Sequence, residues 1–315
     1  MSGTEGFVLA LSGGIGGAKL ALGLYRILPA GALTVVANTG DDFEHLGLAI
    51  SPDIDTLLYT LASLDNLELG WGRRDETWTF MAALERLGGE TWFNLGDGDL
   101  ATHVERTRRL AAGESLSEIT DEFRRRLGIS ARLLPMTDDR VRTRLRTVEG
   151  WLDFQDYFVR QRCAPVVREI AFAGADDARP HPAFSAALDD ENLRAVVICP
   201  SNPFISVDPI LSLPGVREAL RACAAPVIAV SPVIGGKAIK GPTTKMMTEL
   251  GLPVDATAVA RHYGEILDLY VADETDVNEV GDLGVPVTFA RTLMLSLEDR
   301  EALARMVLEA AGRGF

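Results

Sequence analysis

Cysteine is scarce in this chain. Its 315 residues include three, Cys163, Cys199 and Cys223, and none lies in a CxxC pair. Three thiols cannot build a disulfide framework, and without paired cysteines a structural zinc site is not expected. A reducing compartment fits that usage. Long apolar runs are missing as well, since nothing approaches the ~18 residues of a membrane span. The opening MSGTEGFVLALSGGIGG has no basic leader, so its short apolar run reads as a first strand and not as a signal peptide. A cytoplasmic protein without a membrane partner is expected. Positive charge is also short: 31 Lys plus Arg against 45 Asp plus Glu leave a net −14. Nucleic-acid backbones call for a basic surface, so nucleic acid is not an expected partner. A local basic pocket for one phosphorylated ligand stays compatible with the balance. There is no repeat of fixed period and no low-complexity block.

What is present is ordinary for a globular protein, 47% hydrophobic and 24% charged residues, in a chain long enough for two domains or one large α/β domain. Short apolar runs alternate with longer amphipathic ones, the pattern of parallel α/β folds. Strands are expected at 6–12, 33–38, 91–95, 131–136, 195–200, 226–232, 267–273 and 286–290. Helices are expected after residue 17, over 53–63, 99–110 and 208–224, from the capping box Ser115-Leu116-Ser117-Glu118, and at the C-terminus. The expected fold is α/β: a Rossmann-like, mostly parallel sheet with helices on both faces. Residues 1–140 and 192–315 would form this core. The irregular stretch 141–191 would form a small inserted subdomain. Ligands of such sheets sit beyond the carboxyl ends of the strands, so the residues just after the apolar runs carry the functional signal.

Six such places stand out. Gly13, Gly14, Gly16 and Gly17 follow the first strand and open a helix, where glycines admit a phosphate to free N–H groups. The stretch is neither a Walker A loop nor a full GxGxxG, because Lys19 stands where the third glycine belongs. Asn38, Thr39, Asp41 and Asp42 follow the second strand, with Asp53 and Asp55 close behind. Aspartates so clustered suit Mg²⁺ shared with substrate phosphates, although Asp also caps turns and helices. Asp42 and Asp55 are the preferred ligands or hydroxyl-binding groups, and Asp53 a substrate contact. Asn94, Asp97, Asp99 and His103 come next, and Asp99 and His103 would share one helix face, as an active-site edge or as a cap with a surface histidine. Asp138 and Asp139 repeat the strand-then-aspartate theme. Ser201 and Asn202 supply a hydroxyl and an amide between Pro200 and Pro203. Gly235, Gly236 and Lys237, with Lys240 and Lys245, resemble a second phosphate cradle.

Taken together, these motifs resemble the 2-phospho-L-lactate transferases of coenzyme F420 biosynthesis, phosphoenolpyruvate-transferring variants included. The matching stretches are LSGGIGGAKL (11–20), NTGDD (38–42), LAISPDIDTLLYTLA (48–62), LGDGDLATH (95–103), PMTDD (135–139), FQDYFV (154–159), CPSNPFISVDPIL (199–211) and VSPVIGGKAIKGPTTKMM (230–247). They run in family order over almost the whole chain. The resemblance implies a homodimer with Mg²⁺ as cofactor. It implies transfer of a phospholactyl, phosphoenolpyruvyl or phosphoglyceryl group from a guanosine-diphosphate-linked donor to the terminal ribityl hydroxyl of the deazaflavin Fo, releasing GMP. It places Asp55 at the deazaflavin end and the metal on carboxylates such as Asp42. Two positions depart from the family: Gly98 stands where an arginine is frequent, and Asn94 where a basic residue is frequent. Arg73 and Arg74 are candidates to compensate. Two other readings compete. One is a non-catalytic regulator of the gluconeogenesis-factor type, which shares the glycine loop and early aspartates but matches PMTDD, FQDYFV and KGPTTK less well. The other is a nicotinamide-dependent oxidoreductase, disfavoured by the incomplete GxGxxG.

Overall fold

The computed structural model describes residues 6–66, 72–238 and 241–312. The chain opens with β1 (Phe7–Ser12), α1 (Gly14–Ile27) and β2 (Leu33–Ala37). A hairpin of β3 (Phe43–His45) and β4 (Leu48–Ile50) precedes α2 (Pro52–Leu61), α3 (Thr79–Arg86), α4 (Asp97–Ala111), α5 (Leu116–Arg126) and β5 (Arg132–Pro135). Then come β6 (Arg142–Thr147), β7 (Gly150–Asp153), β8 (Glu169–Ala173) and α6 (Pro182–Leu188). The second half runs β9 (Leu193–Ile198), α7 (Asp208–Leu211), α8 (Val216–Ala222), β10 (Val227–Val230), the hairpin β11 (Val233–Ile234) and β12 (Lys237–Ala238), α9 (Thr243–Glu249), α10 (Ala256–Tyr263), β13 (Leu269–Asp273), β14 (Val287–Ala290) and α11 (Leu297–Ala310).

Seven strands pair in the order β14-β13-β10-β9-β1-β2-β5, every pair parallel. The α/β reading holds. These strands are apolar on both faces because helices cover both. Leu9, Leu11, Val36, Val196 and Ile198 face one layer, with α6 to α10 beyond them. Val8, Ala10, Val35, Val197 and Ile228 face the other, against α1, α2 and α11. The alternation has the period of two that a pleated strand imposes. From β1 the chain winds toward β2 and β5, whereas β9 starts the winding the other way. The crevice between the carboxyl ends of β1 and β9 is therefore the switch point where open α/β sheets take ligands.

Residues 142–173 form a separate antiparallel sheet, β7-β6-β8. Two other expectations fail. TWFNL (91–95) is a loop and not a strand. It pairs with no strand of the sheet, and both edges of β2 are taken by β1 and β5. Its apolar residues pack elsewhere: Trp92 and Phe93 lie against Phe43 and His45, and Leu95 is buried with Ile50 and Met81. The helix expected over 208–224 is broken into α7 and α8, because Gly215 adopts φ 78° after Pro214 and cannot continue a helix. No helix of the described residues is long and apolar enough to cross a membrane.

Candidate active site

A cleft of about 250 Å³ opens at the switch point. Its floor is the start of α1, with Gly13, Gly14 and Gly16 on its surface. Gly13 precedes the helix in an extended conformation and, being glycine, offers no side-chain cap; the Gly14 N–H goes to Asp53, and the next N–H groups of the first turn are left for ligand space. The glycines also serve packing. A Cβ on Gly16 would meet the Pro200 carbonyl oxygen, and one on Gly17 the Ser201 and Ser12 hydroxyls. Gly17 is buried one layer down, and the Gly13 N–H donates to Ser201 Oγ at 3.3 Å. The β1 and β9 loops are thus interlocked.

Asp53 fixes a third segment to these two. Its Oδ1 accepts from the Gly14 N–H at 2.6 Å and its Oδ2 from Asn38 Nδ2 at 2.9 Å. Asn38 also donates to the Ile205 carbonyl at 3.2 Å and accepts from the Gly40 N–H at 2.8 Å, so it positions the loop. Asp41 lines the cleft beside Asp53. Asp53 thereby caps α1 from outside, whereas Asp41 caps no helix. Asp41 is buried, and its Oδ1 has no hydrogen-bond partner among the described residues. Burial first, and then the Asp53 charge, push its carboxyl well above the usual range. Burial pushes Asp53 up to about 6, against the pull of its Asn38 and Gly14 hydrogen bonds. Two crowded carboxylates, one with an orphaned oxygen, fit a hard divalent cation, whose charge would relieve both. Thr39 is buried, and its Oγ1 has no partner among the described residues.

Asp42 and Asp55, the ligands expected from sequence, do not line this cleft. Asp42 accepts from Ser51 Oγ at 2.8 Å, and burial pushes it up to about 7 while Arg142, Ser51 and Arg106 pull it back. Asp55 points to the far side of α2, where the buried Arg106 grips both its oxygens. His103 Nδ1 lies 3.7 Å from Asp55 Oδ2, and His103 Nε2 lies 3.1 Å from Asp99 Oδ2. Tyr59 completes the group, its hydroxyl donating to Asp99 Oδ1 at 2.6 Å. Asp55, Asp99 and His103 offer three ligand atoms within 4.8 Å of one another. The Arg106 guanidinium already supplies a cation there, and the group reads as a charge-balanced layer behind the cleft.

The remaining candidates divide clearly. Ser201 and Asn202 line the cleft. Asn94 is exposed and away from it. Asp97 caps α3 from outside, accepting from Thr77 Oγ1, the Thr79 N–H and the Phe80 N–H. Asp138 holds Ser117 at the start of α5, and Asp139 accepts from the Arg179 N–H. Gly235 and Gly236 do not line the cleft. With φ 54° and 68° they form the two-residue turn joining β11 to β12, a conformation glycine supplies without strain. Lys237 is exposed on that hairpin, Lys245 pairs with Glu249, and Lys240 lies outside the described residues. Arg73 Nη1 rests 3.5 Å from the Gly98 carbonyl, so a guanidinium does reach that position, while Arg74 is exposed beside Asp75.

The opposite wall includes FQDYFV, matched to the family by sequence but given no site role there. Phe154, Gln155 and Phe158 come from the inserted sheet's end, and Thr292 and Met294 from the segment after β14. The two segments nearest this wall, Asp156–Arg160 and Pro203–Val207, are π-helical turns, a form that recurs at functional sites.

The family model described as 2-phospho-L-lactate transferase CofD matches residues 8–283. The chain belongs to the CofD family. It is a transferase of F420 biosynthesis on that ground, and its relatives carry corresponding names. A phosphoenolpyruvate transferase of Kitasatospora aureofaciens is 40% identical over 96% of each chain. A 2-phospho-L-lactate transferase of Methanosarcina mazei is 39% identical over 96% of this chain and all of the relative. A solved Bacillus halodurans structure, described as a member of the upf0052 family, superposes with TM-score 0.65 over 98% of this chain and 99% of that one. At 16% identity it bears on the fold alone. The CofD-family fold thus accounts for the parallel sheet, and the CofD-family motifs NTGDD, SPDID and PSNPF meet around its cleft.

Proposed function

We propose that the cleft transfers a phosphorylated three-carbon acid from a guanosine-diphosphate-linked donor to the terminal ribityl hydroxyl of Fo. The hydroxyl oxygen forms a bond to the phosphorus bearing the acid. The bond from that phosphorus to GMP breaks, and GMP leaves. Such transfers rest on positioning and charge stabilisation and need no covalent enzyme intermediate. The α1 N-terminus would take phosphate oxygens on its N–H groups. Asp41 and Asp53 would hold Mg²⁺, which when bound neutralises diphosphate charge. The hydroxyl proton passes to a carboxylate oxygen of the cleft that the cation leaves free. Asn38 keeps Asp53 oriented, and Ser201 and Asn202 contact the nucleoside.

The observation that carries the reading is the orphaned Asp41 oxygen beside Asp53 at the head of α1, in a chain of this family. Relatives named for phosphoenolpyruvate and for 2-phospho-L-lactate stand at 40% and 39% identity, so likeness alone does not choose the acid. The test is a reaction of the protein with Fo, Mg²⁺ and each of the three guanylated donors, read by mass spectrometry and by GMP release. One donor should yield a phosphodiester of Fo with stoichiometric GMP. No product from any donor refutes the proposal.

A further inference from the structure

The wall facing the α1 N-terminus has the makings of a site for a flat ring. Phe154 and Phe158 stack with centroids 5.3 Å apart and planes 14° from parallel. Both line the cleft. Phe154 is 6% exposed, whereas Phe158 leaves 38% of its surface in the open, a large share for an aromatic side chain. Between them in sequence is Gln155, 6% exposed and also lining the cleft. Its carboxamide hydrogen-bonds to no protein group among the described residues. The amide faces the open cleft, where a ligand can take both its donor and its acceptor. The turn Asp156–Arg160 widens into a π-helix at this point. That geometry sets the two rings and the amide on one face.

We propose that Phe154, Gln155 and Phe158 form a base-reading subsite for a planar heterocycle with a lactam edge, the ring lying against Phe158 and the edge pairing with Gln155. A carboxamide offers one acceptor and one donor side by side, the complement of a ring N–H next to a carbonyl. A purely apolar wall would hold a ring without choosing among rings, and the amide adds that choice. The inference rests on the transfer reading above, in which two substrates carry such an edge: the guanine of the donor and the pyrimidinedione of the deazaflavin. The shared edge is what the subsite recognises, and binding measurements decide which substrate supplies it.

The test is equilibrium binding of Fo, followed by its own fluorescence, and of GMP, followed by calorimetry, to wild type, Phe158→Leu, Phe158→Ala and Gln155→Glu. Loss of a stacking ring costs roughly 5- to 100-fold in affinity. One of the two ligands should weaken by about 5-fold or more in the Phe158 variants. The same ligand should weaken in Gln155→Glu, which turns the amide's donor into a second acceptor that repels the ring carbonyl. The other ligand should bind as in wild type. Phe158→Leu keeps the volume, and a melting temperature near that of wild type shows that it folds. If folded variants bind both ligands as wild type does, the subsite is refuted while the transfer reading stands. If wild type binds neither ligand, both fall.

Discussion

Arg106 is the residue whose removal tests the architecture behind the cleft most sharply. Its side chain is 1% exposed, and it grips both oxygens of Asp55, itself 7% exposed. It also donates to the Ala49 carbonyl at 3.3 Å and lies 3.3 Å from His103 Nδ1. In Arg106→Met the packing volume is nearly kept, but Asp55 loses its guanidinium partner in a region that already holds Asp42 and Asp99. Breaking a buried pair on one side costs about 3–5 kcal/mol. At ~2.1 cal/mol/K per residue, a 315-residue chain unfolds with an entropy of about 0.7 kcal/mol/K. The melting temperature should fall by about 5–8 °C. The double variant Asp55→Leu/Arg106→Met removes both charges and should recover most of that loss, because replacing a buried pair with apolar groups is often close to neutral. Calorimetric melting of the single and double variants reads both numbers. A drop under about 1 °C for Arg106→Met, or a double variant less stable than the single one, would falsify the view that Arg106 is the counter-ion of this layer.

Other consequences are equally direct. Asp53→Asn and Asp41→Asn should each lower turnover by about 100-fold or more with the fold intact; near-normal turnover at saturating Mg²⁺ would move the chemistry elsewhere. Gly16→Ala drives a methyl into the Pro200 carbonyl, a backbone atom that cannot step aside, so it should cost about 1–3 kcal/mol, and an unchanged melting temperature would contradict the interlock. Burial pushes the Asp273 carboxyl up, and hydrogen bonds from Thr275 and Thr292 outweigh it and hold it below the usual range. A depressed folded value means stability that is present above the ordinary carboxylate pKa and lost as pH falls through the folded one. The stability gap between wild type and Asp273→Asn should therefore be flat above about pH 5 and close below about pH 4; a gap that widens in acid would reverse the assignment. Burial pushes the Cys199 thiol up to about 12, so it should resist alkylation in the native protein near pH 8, and labelling at the rate of a free thiol would contradict its burial.

The sheet was legible because its strands announce themselves as short runs of Val, Leu, Ile and Ala, buried on both faces and followed by small or polar residues. FVLALS, LTVVA and AVVI needed no tertiary knowledge. The motif loops were legible for the same reason, since glycine and aspartate after a strand are chemically conspicuous. What sequence could not supply was direction. Asp41, Asp42, Asp53 and Asp55 look equivalent in a string, and only the placement of α2 turns Asp53 toward the cleft and Asp55 toward Arg106. In the lysine-rich stretch the glycines also have a local reason to be there, a hairpin turn, which a string of residues does not separate from a ligand-binding one. The hairpin of β3 and β4 was hidden because Leu46 takes φ 53°, a conformation leucine seldom adopts. The aromatic wall was hidden because it comes from the least regular part of the chain. Its rings meet only through a π-turn that no periodicity foretells.

The interlock of Gly13, Gly16 and Gly17 with Pro200 and Ser201 has a kinetic meaning. The loops after β1 and β9 and the head of α2 are clasped by direct contacts and by Asp53, so the groove between them acquires its width during folding. The entropy of ordering those loops is then spent before any nucleotide arrives, and less of the contact energy is consumed in immobilising them. A groove shaped in advance admits its ligand in a single docking event, limited by encounter and orientation and not by a slow closing of its walls.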